Sequence, residues 1–232
     1  MSTQQVARFL RRVDILEPLS TEEVEKLALR TPEVRSKEGQ LFYTPSLITG
    51  LLFLLLEGRV RIYKMVGGRE LTLDVLESGT MFGEAALVGE PEGTYAEILE
   101  LSRIAYLRTE LLREIVRNNP EVGIRVAELL TARMRLYADK MVDIALKEVP
   151  ARLAHLFLWL AEIDGTVSPE GYLVPSRYTH EQLGTMIGAK RVAVTRAMKK
   201  LRDDGLVEGG RKRILIKDRE ALERIAAGSA LA

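Results

Sequence analysis

The region from about residue 33 to residue 107 consists of short strand-forming runs separated by glycines, and it limits the possible fold more than any other part of the chain. Residues 59–64 and 71–75 alternate apolar and polar side chains with a period of two. Gly67 and Gly68 lie between these runs, where a tight turn would join them into an antiparallel hairpin. Residues 51–56 and 96–107 are further strand candidates. Many short strands with glycine corners indicate an antiparallel barrel or roll.

Helical spacing replaces the strand pattern after Thr109. Short amphipathic helices at 4–12 and 20–29 precede the strands, and a long helix is expected from Pro120, because no Gly or Pro interrupts residues 124–149. Apolar residues recur along this helix at a heptad spacing. That spacing favours a seam between two copies of the helix, and therefore a homodimer, although a helix packed on its own β-domain is the alternative. The seam residues are spaced four, three, four and three apart: Leu130, Met134, Tyr137, Met141 and Ile144.

The segment 178–207 has the pattern of two short helices joined at a glycine. Thr179 and Gln182 form a capping box for the first helix, which ends at Gly188, and the second helix is expected from Ala189. The second helix has a buried apolar face formed by Val194, Ala197, Met198 and Leu201. Its opposite, basic face is typical of a helix that enters the major groove of DNA, although an ordinary basic helix is the alternative. The residues expected to read bases are Arg191, Val192, Thr195 and Arg196.

Two apolar runs around Gly209 and Gly210 predict a β-hairpin wing after this helix. Basic residues beside the turn suit contacts with phosphates. The set expected to contact phosphates is Thr179, Lys190, Lys199, Arg211, Lys212 and Arg213. Charge supports this assignment, because residues 188–217 carry 10 Lys and Arg against 3 Asp and Glu in a chain whose net charge is only +1.

The composition excludes several kinds of site. The chain has no cysteine, which excludes disulfides, thiolate-bound zinc and cysteine-ligated iron–sulfur clusters. Its two histidines, His155 and His180, are too few for a multi-histidine metal site, so we expect no metal and no cofactor. No run is apolar for long enough to span a bilayer, and the first residues lack the apolar core of a signal peptide. We therefore expect a cytoplasmic protein.

Four motifs together resemble the CRP/FNR family over nearly the whole chain: residues 56–60, 68–73, 79–84 and 188–196. The resemblance implies an α+β fold with an antiparallel β-roll (cupin-like or cyclic-nucleotide-binding-like), a long dimerisation helix and a winged helix-turn-helix. It also implies a homodimeric, non-enzymatic transcription regulator that binds palindromic double-stranded DNA and works with RNA polymerase. The expected bounds are 1–118 for the sensor-like roll, 119–149 for the dimerisation helix and hinge, and 150–232 for the DNA-binding domain.

The chain departs from the cAMP-binding members of that family at two points. Gly83 and Glu84 match their ribose-binding pair, but Gly93 stands before Thr94 where those members carry the arginine that neutralises the cyclic phosphate. Tyr137 stands where they have a threonine that touches adenine. We therefore predict no cAMP binding in the usual manner. The degenerate effector pocket comprises Phe82, Gly83, Glu84, Gly93, Thr94 and Tyr137.

Several interpretations of regulation and class stay open at this point. The dimer either binds DNA without an effector or responds to a small molecule other than cAMP through the roll. A cupin-type metal oxygenase is disfavoured because the roll has no histidine, and a regulatory subunit of a larger complex is disfavoured by the C-terminal motif. Arg191 followed by Val192 resembles the 2-oxoglutarate-responsive nitrogen regulators of the family, which predicts GTA-like half-sites.

Overall fold

The computed structural model describes residues 3–175, 178–210 and 213–228, which form two compact units. The first unit comprises the chain up to Gly67 together with Leu73–Arg135, and the second comprises Gly68–Thr72 together with the chain from Leu136 onward. The boundary between the units falls within one long helix. The domain bounds 1–118, 119–149 and 150–232 stay predictions.

The first unit begins with two short helices and continues as a β-roll. The helices are α1 (Thr3–Leu10) and α2 (Thr21–Arg30), with a 3-10 turn at Asp14–Leu16 between them. The capping box of Ser20 and Glu23 begins α2. The eight strands are β1 (Glu33–Ser36), β2 (Leu41–Tyr43), β3 (Leu51–Glu57), β4 (Arg59–Val66), β5 (Arg69–Glu77), β6 (Met81–Phe82), β7 (Tyr95–Ile98) and β8 (Ser102–Arg108). A 3-10 turn, Glu84–Leu87, follows β6.

These strands form two four-stranded sheets, in the orders β1-β8-β3-β6 and β2-β7-β4-β5. Gly67 and Gly68 both have positive φ angles, 57° and 73°, which confirms the tight turn between β4 and β5. The prediction of a single strand at 96–107 was wrong. The chain bends at residues 99–101 and changes sheet, because β7 pairs with β4 whereas β8 pairs with β1 and β3.

Two helices complete the first unit: α3 (Thr109–Asn118) and the start of α4 (Pro120–Leu146). Val122 is fully buried, and Val126 and Leu129 pack against the same core. The sequence placed the end of α4 near Val149, but the helix ends at Leu146. A new helix, α5 (Val149–Asp164), then begins with Pro150 in its first turn, where proline costs no intrahelical hydrogen bond.

The second unit packs helices against a four-stranded sheet. Its elements after α5 are β9 (Thr166–Ser168), β10 (Gly171–Pro175), α6 (His180–Ile187), α7 (Arg191–Asp203), β11 (Val207–Gly210), β12 (Arg213–Ile216) and α8 (Arg219–Ala226). The sheet has the order β11-β12-β10-β9, so the hairpin of β9 and β10 extends the sheet of the wing. Helix α8 was not predicted from the sequence; Asp218 caps it, and its Leu222 is fully buried.

Candidate functional sites

The two helices α6 and α7 are held in a helix-turn-helix by short backbone contacts. The expected capping box is present: the hydroxyl of Thr179 accepts from the Gln182 amide, and the Gln182 side chain accepts from the Thr179 amide. Gly188 ends α6 in a left-handed conformation, with φ of 65°. Arg152 on α5 donates to the carbonyl of Ile187 at 2.8 Å, which satisfies the end of α6.

Helix α7 separates one buried face from one exposed face. Val194, Ala197, Met198 and Leu201 are all buried, as the sequence predicted. On the other face the side chain of Val192 is 61% exposed, and Arg191, Thr195 and Arg196 are exposed as well. The helix begins at Arg191 with Lys190 as its N-cap, two residues later than expected. The four residues expected to read bases therefore form one open surface on the described chain.

The hydroxyl of Thr195, on this face, has two hydrogen-bond partners among the described residues. It donates to the Arg191 carbonyl at 3.0 Å, one helical turn earlier. It also lies 2.9 Å from Nδ1 of His180, the first residue of α6. His180 could not be assigned to this face from the sequence, because fifteen residues separate it from Thr195 and only the helix-turn-helix brings them together.

The expected phosphate contacts are partly visible around this face. Lys190, Lys199 and Arg213 are exposed, whereas the Thr179 hydroxyl serves as the cap of α6. Arg211 and Lys212 lie outside the described residues. Gly209 and Gly210 belong to β11, so the expectation that they form the turn of the wing was wrong. A Cβ at Gly209 would lie 3.3 Å from the Arg213 carbonyl oxygen, so the close approach of the two strands favours glycine there.

A cleft of about 420 Å³ lies beside the start of α7. One of its lining residues is Lys200, which the sequence analysis did not include among the residues expected to contact phosphates. Val149 and Pro150 from the first turn of α5 form one side of it. Lys190, Arg196 and Lys200 are its cationic residues. A cleft of this kind suits an anionic backbone, because the three cations act together with the positive end of α5.

The apolar seam expected on α4 is only partly exposed. Met134 and Met141 are 72% and 69% exposed, but Leu130, Tyr137 and Ile144 are half-buried. A Cβ at Gly188 would lie 3.2 Å from Cδ1 of Ile144, so Ile144 packs within its own unit. The exposed stripe on α4 has the same two methionines and a register one residue away. Its members are Ile124, Ala127, Thr131, Met134, Ala138, Met141 and Ala145.

In the first unit, Glu84 is neutralised by an arginine from α4. The Nη1 atom of Arg133 lies 2.9 Å from a Glu84 carboxylate oxygen, and its Nη2 atom donates to the Met81 carbonyl at 2.6 Å. Asp74 lies 3.9 Å from the same guanidinium. Arg133 is only 7% exposed, so its guanidinium is largely withdrawn from water, whereas the Glu84 side chain is 35% exposed.

The other residues of the expected pocket in the first unit have aromatic and acidic neighbours. Phe82 is fully buried, with its ring centroid 5.2 Å from that of Phe53, so it belongs to the aromatic core. Thr94 hydrogen-bonds to Tyr43, whose pKa is raised above its ordinary value by burial and by nearby carboxylates. Burial, together with the charge of Glu84, raises the pKa of Glu92 to about 7.

Gly93 contributes only backbone contacts to the segment after Glu92. Its amide donates to the Pro45 carbonyl at 2.9 Å, and its φ of 67° favours glycine. Tyr137 falls in the second unit and is half-buried. No group of three or more residues with metal-ligating side chains was found in the part of the chain that the structure describes. Within those residues, no helix is both long and apolar enough to cross a membrane.

A two-sheet β-roll in one unit and a winged helix-turn-helix in the other define a class of DNA-binding proteins with a sensor-type domain. Family models match both parts. Residues 33–119 match the cyclic nucleotide-binding domain, and residues 151–225 match the Crp-like helix-turn-helix domain.

The chain is also similar to known regulators over most of its length. It is 25% identical over 219 residues to a CRP-like cAMP-activated global transcriptional regulator of Mycobacterium tuberculosis, covering 94% of this chain and 98% of that one. A CRP-family transcriptional regulator from Thermus thermophilus matches with a TM-score of 0.71 and 28% identity, over 86% of this chain and 98% of that chain. A CooA mutant from Carboxydothermus hydrogenoformans shares the fold, with a TM-score of 0.79 and 24% identity over 92% and 94% of the two chains.

The chain belongs to the CRP/FNR family of transcription regulators. It is a regulator of the CRP/FNR type with a helix-turn-helix DNA-binding domain. Regulators of this family bind DNA and act as dimers.

Proposed function

We propose that this chain acts as a homodimer that reads a palindromic DNA site through the exposed face of α7. The observation that carries the proposal is the open surface formed by Arg191, Val192, Thr195 and Arg196, opposite the buried face of the same helix. Each arginine suits the N7 and O6 acceptors of a guanine, and Val192 suits a thymine methyl. Val192 offers no acceptor for a cytosine amino group, which supports GTA-like half-sites.

Phosphate attraction is assigned to the cations around that face. Lys190, Lys199 and Arg213 are exposed, and Arg211 and Lys212 are assigned to the same role from the sequence. Lys200 joins this set because it lines the cleft at the start of α5. Since such contacts release counterions, we expect DNA affinity to fall steeply as salt increases.

The dimer seam is assigned to the exposed stripe on α4 and not to the register first expected. Ile124, Met134 and Met141 are each more than half exposed, and large apolar side chains in a heptad repeat are stabilised by burial against a second helix. Thr131 fits the stripe because its hydroxyl donates to the Ala127 carbonyl at 2.8 Å. Pairing of two such helices would set the two copies of α7 about 34 Å apart, one turn of DNA.

We propose that cAMP does not activate this regulator, although the relative from Mycobacterium tuberculosis is named as cAMP-activated. Arg133 is already bonded to Glu84 and to the Met81 carbonyl, and Gly93 supplies no side chain. The half-buried carboxyl of Glu92 adds repulsion for a phosphate. Burying a phosphate beside carboxylates without a free cation is costly.

The second candidate is a regulator gated by a different small molecule. This ligand would bind in the roll. A ligand that donates hydrogen bonds or carries positive charge would suit the group formed there by Glu84, Glu92 and Tyr43. In either case we propose a cytoplasmic, non-enzymatic protein that works with RNA polymerase. We also propose that its domains are bounded at 1–118, 119–149 and 150–232.

The test is DNA binding by the purified full-length chain, measured by fluorescence anisotropy with specific and random duplexes. Arg191→Ala is expected to weaken specific binding by about 1–3 kcal/mol and to leave random-duplex binding nearly unchanged. Lys199→Ala, the matched control, is expected to weaken both by a similar factor. An unchanged specific-to-random ratio for Arg191→Ala would contradict the base-reading role. Tighter DNA binding on addition of cAMP would contradict cAMP independence.

A further inference from the structure

His180 is the one titratable side chain that contacts the base-reading face from another helix among the described residues. It is the first residue of α6, whereas Thr195 lies in the second turn of α7. Its Nδ1 atom is 2.9 Å from the Thr195 hydroxyl oxygen. This bond joins the two helices of the helix-turn-helix, and one of its partners is a residue assigned to base reading. It therefore affects whether the Thr195 hydroxyl can donate or accept a hydrogen bond at a DNA base.

We infer the positions of the protons in this contact from the number of hydrogen bonds that each group can donate or accept. The Thr195 hydroxyl oxygen lies 3.0 Å from the Arg191 carbonyl oxygen, and two oxygens at this distance attract only with a proton between them. Because a hydroxyl has one proton, Thr195 donates it to Arg191. The hydroxyl must then accept from His180, so Nδ1 carries a proton in this arrangement. Thr195 is left with one lone pair and its methyl group, and it has no proton to donate.

We propose that His180 is a positioning residue that determines specificity, because it fixes Thr195 as an acceptor-only side chain on the DNA-reading face. This inference rests on the proposed function of that face. A base opposite Thr195 then has to present either an amino group, as adenine and cytosine do, or the methyl group of thymine. Guanine presents only the acceptors N7 and O6 in the major groove, so Thr195 disfavours guanine at that position.

The role of His180 is to select one side-chain rotamer of Thr195. Threonine in a helix divides between two χ1 rotamers, because its hydroxyl can bond to a carbonyl of the preceding turn. The His180 bond holds the Thr195 hydroxyl in the rotamer that also reaches the Arg191 carbonyl. Without His180, the hydroxyl is free to leave the Arg191 carbonyl and donate to a base, and guanine becomes acceptable.

The experiment is selection of half-sites from random duplexes by the full-length chain, followed by sequencing, for wild type, three single variants and the double variant of His180→Ala with Thr195→Val. His180→Ala removes the bond, whereas His180→Asn retains an N–H donor at the position of Nδ1. Thr195→Val removes the hydroxyl and keeps the methyl group. Circular dichroism and the unfolding midpoint of each variant show that it is folded under the selection conditions.

We expect wild type and His180→Asn to return the same palindrome. His180→Ala is expected to raise the guanine frequency at one position of each half-site by at least about fivefold, the factor that corresponds to about 1 kcal/mol, and to leave the other positions unchanged. In the Thr195→Val background, His180→Ala is expected to have no further effect on preference, because the hydroxyl that it controls is absent.

Three results would overturn the inference. One is a His180→Ala profile identical to wild type, and another is a profile relaxed evenly at all positions. The third is an altered preference from His180→Ala in the Thr195→Val background. Should His180→Ala fail to fold, loss of the wild-type preference in His180→Asn would also count against it. A wild-type chain that returned no palindrome would instead contradict the proposed function itself.

Discussion

The contact between Gly184 and the turn of the helix-turn-helix gives the sharpest test of how α7 is positioned. A Cβ at Gly184 would lie 2.5 Å from the Ala189 carbonyl oxygen, and real Cβ atoms essentially never approach another atom within 3.0 Å. Gly184→Ala therefore forces α6 and the turn apart by about 0.5 Å or more in a well-packed interior. The obstacle is backbone and not a flexible side chain, so the structure cannot yield by a rotamer change.

The expected loss of stability follows from two opposing effects. Overpacking against a rigid obstacle costs about 3 kcal/mol, at the upper end of its usual range. Alanine gains about 1 kcal/mol over glycine inside a helix, which leaves a net loss of about 2 kcal/mol. Displacement of α7 would also lengthen the proposed hydrogen bonds to base edges, so we expect specific DNA binding to weaken by about tenfold or more, even where the variant is folded.

The assay combines urea unfolding with DNA titration, and Gly205→Ala is the matched control. Gly205 has φ of 72° with no atom within 4 Å of its Cβ position, so alanine there costs only the left-handed conformation, about 1–2 kcal/mol. The control should lose similar stability and bind DNA as wild type does when folded. Equal DNA affinity for Gly184→Ala and Gly205→Ala would refute the claim that this contact positions α7.

Three further predictions concern the roll and the dimer seam. Because the pKa of Glu92 is raised to about 7 in the folded state, the unfolded chain loses this proton first, and stability falls as the pH rises from about 4.5 to 7. Glu92→Gln should therefore raise the unfolding free energy by about 1 kcal/mol at pH 8, after allowance for solvent screening, and by nothing at pH 4, as thermal melts at both pH values would show. Arg133→Met should lower the unfolding free energy by about 2 kcal/mol in urea titrations, since it leaves a partly buried carboxylate unpaired; equal stability would rule out the ion pair as a structural element. Met134→Glu should weaken the dimer at least about a hundredfold in sedimentation equilibrium, because about 1.5 kcal/mol or more is lost from each of two methionines; Ala132→Glu, exposed beside the stripe, should leave it intact.

Local features of the helix-turn-helix could be predicted well from the sequence. Thr179 and Gln182 form a capping box within four residues, and Gly188 supplies the left-handed cap that ends the same helix. The buried face of α7 followed from its period alone. Such features depend on residues close together in the chain, so no knowledge of packing is needed to find them.

The apolar stripe of α4 that faces outward could not be predicted in the same way. Ile144 satisfies a heptad spacing with Met134 and Met141, yet its side chain packs toward Gly188 in its own unit. Two apolar stripes one residue apart share those methionines, and only the packing of the helix determines which stripe faces outward. A heptad pattern predicts that a seam exists and does not by itself predict its side.

The contacts of the acidic group in the roll and the role of His180 depend on tertiary structure. Arg133 reaches Glu84 across 49 positions of sequence, and Tyr43 meets Thr94 from another part of the roll. Neither arginine nor tyrosine was distinguished by its neighbours in the chain. The wing illustrates the converse error: Gly209 was taken for a turn residue, although it is a strand residue where a side chain would crowd the Arg213 carbonyl.

The spacing of selected half-sites tests the central claim most directly. We predict that wild-type protein selects a palindrome whose half-site centres lie one helical turn apart, about 10 base pairs. Inserting about five base pairs, half a helical turn, between the half-sites should place one of them on the opposite face of the duplex and reduce the affinity to that of a random sequence. Affinity that is unchanged by the insertion, or a selected site without twofold symmetry, would contradict the claim.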